Sequence, residues 1–228
     1  MDRSLSDAQI EYYSRQILLR ELGGVGQKRF LDGVCLLAGG GDAIAVAATY
    51  LAGAGVGRLD LLGGEPTSED RGVPFAPLDD RNPDVRLRRL DATPPRLDDY
   101  DAAIVTAPAA ALLRTASGRP RRGEVGIELL HDGGVAVVVV PAASGSCALC
   151  ARAASAPAPL GAAPEAGALG LAGSLAALAV CRWIAGLAAE EEVVASTLSP
   201  GAAIFTSAAA AIAPSCARGC RSASRSLR

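Results

Sequence analysis

The chain has 228 residues, a formal net charge of −2 and a pI near 5.5, and half of its residues are apolar. This length suits one domain with an ample core, and the weak negative charge argues against a general attraction to nucleic acid or anionic lipid. Aromatic residues make up only 4% of the chain, so the core must be built from small side chains that pack closely.

The first part of the chain alternates helix and strand patterns. Ser6 and Gln9 have the spacing of a capping box, which marks a helix N-terminus. The predicted elements are a helix from Asp7 to about Leu19, a short helix over 27–32, a strand Val34–Ala38, a helix from about Ala43 to Ala54 and a strand Arg58–Leu62. This order is typical of a βαβ unit, and the almost continuously apolar strand favours a parallel sheet buried on both faces.

The rest of the chain begins with residues 63–83, whose four prolines predict an irregular loop. The predicted elements that follow are strands Val85–Leu90 and Ala102–Thr106, a helix Ala109–Ser117, a hairpin of Val125–Leu130 and Val135–Val140, a loop over 141–168, a helix Leu169–Ala189, and a second hairpin of Val194–Leu198 and Ala202–Ser207. We expect a single domain over 1–228, with a helical arm (1–33), a Rossmann-like core (34–140), a C-terminal part (141–228) and a frayed tail (221–228).

No segment suggests export or a membrane anchor. The N-terminus is charged and amphipathic, without the apolar run of a signal peptide. The longest helix-like uncharged run, 166–181, is shorter than the roughly 20 residues that span a bilayer. We therefore expect a cytoplasmic protein.

The cysteines form two short-spaced pairs that suggest a metal site. Cys147 and Cys150 form C-x2-C, and Cys216 and Cys220 form C-x3-C about 65 residues later. Four thiolates can close a tetrahedral structural zinc site, whereas short-loop disulfides are strained and disfavoured in a reducing compartment. Ordinary thiols and two local disulfides are the alternatives. The two remaining cysteines lie in a strand and a helix and are expected to be core residues.

Several stretches occur in one order: YYSRQILLRELGGVGQKRFLDG, LLAGGG, ATYLAGAGVGRLDLL, NPDVRL, GSCALC, GSLAALAVCRWIAGL and SCARGC. In this order the chain resembles the ThiF/MoeB/HesA family, the bacterial relatives of ubiquitin-activating enzymes, over nearly its whole length. The resemblance implies a Rossmann-type dimer that binds ATP and magnesium and adenylates the C-terminal carboxylate of a ubiquitin-like sulfur carrier. It also implies that Arg15, in the YYSRQ block, reaches the active site of the partner subunit.

The chain departs from the family at the nucleotide site. Gly39 and Gly41 keep two of the four family glycines, and the acids after the second strand are reduced to Glu65. The magnesium aspartate falls on Ala107, the Asn, Arg and Lys of the phosphate clamp have no convincing match in 63–83, and the loop cysteine falls near Ala163. Because adenylation needs cations and donors around the phosphates, we expect these losses to abolish it.

Residue Asp42 is predicted to cap the helix after the glycine turn and to place a carboxylate where phosphates would lie. The neighbouring Ile44 is expected to add bulk at the same place. We expect a non-catalytic partner or scaffold in carrier activation or peptide modification. The chain is expected to form a homodimer or a heterodimer with an active relative. Structural zinc is the expected cofactor, whereas binding of ATP is doubtful.

Three alternatives stay open. An active adenylyltransferase would need replacement acids from Glu65, Asp79 or Asp80. A leader-peptide-binding module would use an exposed strand edge. A nicotinamide dehydrogenase is disfavoured by Ile44 and by the lack of a catalytic group, since the only histidine, His131, falls in a predicted surface turn.

Overall fold

The computed structural model describes residues 4–63, 82–91, 96–130, 133–148, 150–152, 166–187, 193–198, 205–209 and 211–212. Its helices are α1 (Asp7–Tyr12), α2 (Ser14–Ile17), α3 (Gly23–Asp32), α4 (Asp42–Ala54) and α5 (Ala166–Ala185). Its strands are β1 (Val34–Ala38), β2 (Arg58–Leu62), β3 (Arg86–Leu90), β4 (Ala102–Thr106), β5 (Gly123–Leu129), β6 (Val135–Pro141), β7 (Ala151–Arg152), β8 (Val194–Leu198), β9 (Phe205–Ala209) and β10 (Ala211–Ile212). Short 3₁₀ segments cover Leu97–Asp99, Pro108–Thr115 and Ala142–Ser144.

The main sheet has eight strands in the order β3-β2-β1-β4-β5-β6-β8-β9. The first five strands in that order are parallel, and β6, β8 and β9 continue the sheet in antiparallel pairs. A separate antiparallel pair joins β7 to β10. The chain runs outward from β1 in one direction through β2 and β3 and in the other through β4 and β5, so strand order reverses at the β1–β4 boundary. In open α/β sheets, ligands bind at such a boundary, at the carboxyl ends of the strands.

Apolar side chains bury both faces of the parallel sheet, as the sequence predicts. One face packs against α4 and α5, with strand residues such as Leu37, Leu59 and Ile104 in the larger core. The opposite face packs Leu36 and Val105 against the segment 97–116. Gly173 of α5 lies so close to the backbone of α4 that a Cβ there would collide with the carbonyl oxygen of Ala43. Small residues therefore let the two helices approach closely, which suits a chain poor in aromatics.

The structure corrects several predicted helix boundaries. The expected helix Asp7–Leu19 is divided into α1 and α2 at Tyr13, which is 1% exposed and turns its ring into the core. Helix α3 begins at Gly23, four residues before the prediction, and the segment predicted as helix Ala109–Ser117 is the 3₁₀ turn Pro108–Thr115. The expected loop over 141–168 contains β7, and its residues 153–165 lie outside the described residues.

Helix α5 also differs from its prediction at both ends. It begins at Ala166 instead of Leu169 and ends at Ala185 instead of Ala189, before Gly186 with φ of +78°. Residues Gly167–Ala185 are long and apolar enough to cross a membrane by length and composition alone. This stretch is longer than the uncharged run 166–181 because it includes Arg182. In this structure α5 contacts α3, α4 and the strands β4, β5 and β6.

Some predictions fall outside the described residues. The loop over 63–83 lies outside the described residues from 64 to 81, as do the turn residues His131 and Asp132. The strand predicted at Ala202–Ser207 is described from Phe205, where β9 begins, and residues 199–204 are not described. The domain boundaries and the frayed tail, 221–228, stay predictions.

Candidate functional site

A cavity of about 430 Å³ lies at the carboxyl ends of β1, β2 and β4, at the boundary where strand order reverses. Its walls come from the glycine turn after β1, from the residue after β2, from the 3₁₀ segment after β4, from β5 and from α5. The lining residues are Gly39, Gly40, Gly41, Asp42, Ala43, Gly63, Thr106, Pro108, Ala109, Leu112, Ile127, Leu129 and Leu169. Its volume lies within the range of about 300–1,000 Å³ that is usual for small-molecule sites.

The glycine turn is held close to the neighbouring strands. The amide of Gly39 donates to the carbonyl oxygen of Leu62 at 2.9 Å, which ties the end of β1 to the end of β2. The φ of Gly39 is +119°, and a Cβ there would collide with the hydroxyl of Thr106 at the end of β4. Glycine is therefore required by both the backbone conformation and the close approach. Gly39 thus has a structural role that does not depend on a nucleotide.

Residue Asp42 occupies a different helix position from the one predicted. Helix α4 begins at Asp42 itself, and its N-cap is Gly41, whose φ of +79° and ψ of −176° favour glycine. No side chain caps the helix by a hydrogen bond, so the predicted Asp42 cap is wrong. The carboxylate nevertheless lies in the first turn, where the helix dipole favours negative charge, and it lines the cavity.

Residue Ile44 does not face the cavity. It is fully buried in the core between α4 and the sheet, and it is absent from the cavity lining. The expectation that Ile44 adds bulk at the phosphate position is therefore wrong. The helical period explains this result, because position 44 is rotated by about 200° from position 42 around the helix axis.

The described wall of the cavity is mostly apolar. Its side chains with polar atoms are the carboxylate of Asp42 and the hydroxyl of Thr106, and no lysine or arginine is among the described lining residues. After β4 the chain continues as Ala107-Pro108, without a carboxylate. The predicted site residue Glu65 lies outside the described residues, so its position relative to the cavity is still a prediction.

The N-terminal arm is anchored beside α4. The hydroxyl of Tyr13 donates to Asn82 Oδ1 at 3.0 Å, and the amide nitrogen of the same Asn82 side chain donates to the carbonyl oxygen of Ala52 at 2.8 Å. Gln16 adds a bond from its side-chain amide to the carbonyl oxygen of Gly53 at 3.3 Å. These contacts fix the arm and hence the position of α2.

The predicted partner-site residue Arg15 lies on α2 and is exposed. Among the described residues, its guanidinium has no hydrogen bond or ion pair with another side chain. The arm around it exposes large apolar side chains, including Leu18 at 83%, Leu19 at 56% and Tyr12 at 53%. Arg15 and this apolar surface are thus accessible to a second chain, and the structure does not bring Arg15 together with the glycine turn of its own chain.

Two of the four predicted zinc ligands are described, and their geometry fits half of a tetrahedral thiolate site. Cys147 Sγ and Cys150 Sγ lie 3.8 Å apart, and the amide of Cys147 donates to Cys150 Sγ at 3.2 Å. Two thiolates at about 2.3 Å from one tetrahedral zinc lie about 3.8 Å from each other. The described residues contain no larger group of metal-binding side chains, and Cys216 and Cys220 lie outside them.

The small β7–β10 sheet lies next to this cysteine pair. Ile212 is paired with Ala151, which directly follows Cys150. Cys216 is four residues beyond Ile212, and four residues reach at most roughly 14 Å when extended. The described pairing is therefore compatible with a tail cysteine near the pair.

The other two cysteines are core residues, as expected. Cys35 is fully buried in β1, and burial raises the pKa of its thiol above the usual range. Burial also raises the pKa of the Cys181 thiol in α5 to about 12. Both thiols are thus protonated and unreactive at neutral pH.

Sequence reasoning missed most of the cavity wall. Leu112 and Leu169 line it, but in the sequence they only continue apolar runs that look like ordinary helix packing. Thr106 could have been found, because it ends a buried strand next to the glycine turn. The position of Leu112 in this wall depends on the conformation of the 3₁₀ segment Pro108–Thr115 after β4. The local sequence does not indicate that conformation.

Three curated relatives are similar to parts of the chain. The Escherichia coli "Sulfur carrier protein ThiS adenylyltransferase" is 35% identical over 103 residues, covering 38% of this chain and 41% of the relative. "Protein HesA, heterocyst" of Trichormus variabilis is 44% identical over 61 residues, and the "Molybdopterin-synthase adenylyltransferase" of Salmonella typhimurium is 47% identical over 58. These matches cover 27% and 25% of this chain and 23% of each relative. No family model matches the chain.

Solved structures share the fold over most of the chain. MccB of E. coli has a TM-score of 0.64 at 16% identity, covering 95% of this chain and 73% of MccB. PaaA has a TM-score of 0.58 at 17% identity, covering 92% and 85%. Other crystals of MccB contain ATP or the peptide MccA. The chain is thus similar over part of its sequence to two adenylyltransferases and to HesA, and it shares the α/β fold of MccB and PaaA.

Proposed function

We propose that this chain is a non-catalytic member of the ThiF/MoeB/HesA family that acts by binding, as a partner or scaffold in the activation of a ubiquitin-like sulfur carrier or in peptide modification. The observation that carries the proposal is the charge at the glycine turn. The carboxylate of Asp42 lines the cavity at the start of α4, and the described lining contains no cation to balance added phosphates. Adenylation brings two anions together and depends on cations and donors around them.

The end of β4 supports the same proposal. Carboxylates are the usual protein ligands of magnesium beside phosphates, and the position after β4 supplies none, because Ala107 and Pro108 follow Thr106 there. Removing one preorganised donor costs on the order of 10²–10³ in rate, and several groups are replaced together. ATP and magnesium are therefore not cofactors in this proposal.

A role as a partner is supported by the arm. Arg15 is exposed, is fixed to the core through Tyr13 and Gln16, and is surrounded by exposed apolar side chains. In the proposed complex, a homodimer or a heterodimer with an active relative, Arg15 enters the active site of the other subunit. The cysteines 147, 150, 216 and 220 hold structural zinc, which ties the tail to the core.

The test combines the chain with an active relative from the same genome. Pyrophosphate release is measured for the chain alone, for the relative alone, for the mixture, and for the mixture with Arg15→Ala. We expect no release from the chain alone and stimulation that Arg15→Ala removes. Arg20→Ala, at another exposed arginine of the arm, is the matched control and should keep the stimulation. Release by the chain alone, with carrier protein and Mg·ATP, would refute the non-catalytic assignment.

A second candidate, a leader-peptide-binding module, is favoured by strand β3. This strand is at the edge of the main sheet, and its Arg86 and Arg88 are exposed. An extended peptide could add to such an edge through backbone hydrogen bonds. MccB, which shares this fold, has been crystallised in complex with N-formylated MccA. Binding of a leader peptide from a neighbouring gene, abolished by proline substitution at Leu87, would favour this candidate.

A further inference from the structure

We propose that the cavity at the end of β1 accepts a ligand with an apolar body and a primary ammonium group, which pairs with the carboxylate of Asp42. This inference rests on the proposed function in one respect, namely that phosphates do not occupy the glycine turn. It states the chemical class of ligand that the cavity binds in place of phosphates.

The carboxylate is available for such a pairing. Asp42 is partly exposed at the cavity, and it makes no hydrogen bond or ion pair with another side chain among the described residues. A partial positive charge at the start of α4 stabilises the ionised carboxylate but offsets only about half of one charge. The glycine-turn end of the described cavity therefore keeps a net negative character. A cationic group is attracted there, and a phosphate or carboxylate is repelled.

The remaining wall suits an apolar body. Leu112, Leu129 and Leu169 line the cavity from three different elements, and Ile127 and Pro108 complete this side. The hydroxyl of Thr106 is the other polar side-chain group in the described lining. Ligand sites typically combine an apolar wall with a few polar groups that fix orientation. In this cavity the carboxylate fixes the ammonium end, and the leucines cover the rest.

Three probes of similar shape test the charge preference: 3-phenylpropylamine, 3-phenylpropanol and 3-phenylpropionate. Each is titrated into the ¹⁵N-labelled full chain, and dissociation constants are taken from amide shifts. The expected order is amine tightest, alcohol weaker and carboxylate weakest, with at least about a tenfold gap between amine and carboxylate. The largest shifts should fall on amides of the cavity, such as those of Gly40, Gly63 and Leu112.

Two variants separate this mechanism from nonspecific charge effects. Asp42→Asn keeps the shape and removes the charge, and it should bring the three probes to within about threefold of one another. Asp32→Asn removes an exposed carboxylate of α3 and should leave the order unchanged. The proposal is overturned if the carboxylate probe binds as tightly as the amine, if the preference survives in Asp42→Asn, or if the shifts lie outside the cavity. None of these outcomes involves pyrophosphate release, so failure here is distinguishable from failure of the non-catalytic assignment.

Discussion

Replacing Tyr13 by phenylalanine removes one buried hydrogen bond that holds the N-terminal arm on the core. The hydroxyl of Tyr13 donates to Asn82 Oδ1 at 3.0 Å. The same oxygen also accepts from the amide of Asp84 at 3.1 Å, so it keeps a partner in the variant. Tyr13→Phe therefore loses a hydrogen bond without leaving an unpaired buried acceptor, and its cost is about 1 kcal/mol of unfolding free energy.

Truncation of the same side chain should cost more. Tyr13 is almost fully buried, and its ring lies where a Cβ on Gly55 would come within 2.8 Å of it. Tyr13→Ala removes this packing and leaves a cavity, which costs about 3–5 kcal/mol for a large aromatic side chain. The arm that carries Arg15 should then exchange its amide hydrogens faster than the rest of the chain.

Urea unfolding and thermal melts measure both variants. For a chain of this size, Tyr13→Phe should lower Tm by roughly 2–4 °C. Tyr50→Phe, at a tyrosine that is 58% exposed on α4, is the matched control and should leave Tm unchanged. The account of the arm would be refuted if Tyr13→Phe melted like the wild type and Tyr13→Ala lost less than about 1 kcal/mol.

Three further predictions concern pH, metal and backbone. Burial raises the pKa of Tyr13 and of Tyr100, which also donates to a buried aspartate. The stability that these two hydroxyls contribute is fully present below the unfolded pKa of about 10 and is lost as pH rises through the folded pKa values. Urea midpoints should therefore fall above about pH 10, and they should fall less in the variant with both tyrosines replaced by Phe. Metal analysis should find one zinc per chain, and a chelator should lower Tm. Metal-free protein with an unchanged Tm would refute the proposed zinc site. Gly39→Ala should lower the unfolding free energy by about 1–3 kcal/mol, whereas Gly53→Ala, which meets no atom within 4 Å, should not destabilise.

The parallel core could be predicted because its signals are local. The strand Val34–Ala38 is continuously apolar and is bounded by glycines, and it has the predicted limits in the structure. The strands Arg58–Leu62 and Ala102–Thr106 also have their predicted limits in the structure. The capping box of Ser6 and Gln9 is formed by both of its hydrogen bonds. In each case the residues that determine the element lie within it or next to it.

The incorrect predictions have different causes, and one of them is a contact between distant residues. The break between α1 and α2 lies at Tyr13, whose hydroxyl donates a hydrogen bond to Asn82, 69 residues away. A helical pattern in the local sequence does not indicate such a distant partner. The N-cap of α4 is Gly41, one residue before the predicted Asp42, because glycine can adopt the backbone angles that this position requires. The apolar wall around Leu112 arises from a 3₁₀ turn that sequence periodicity presents as an α-helix.

The central claim is that the glycine turn no longer holds nucleotide phosphates. Isothermal titration of the full chain with ATP and excess magnesium measures this most directly. We expect no saturable binding up to about millimolar ATP, and gain of weak binding in Asp42→Gly, because removing the carboxylate lowers the repulsion of phosphates. Saturable micromolar binding of Mg·ATP to the wild-type chain would contradict the account.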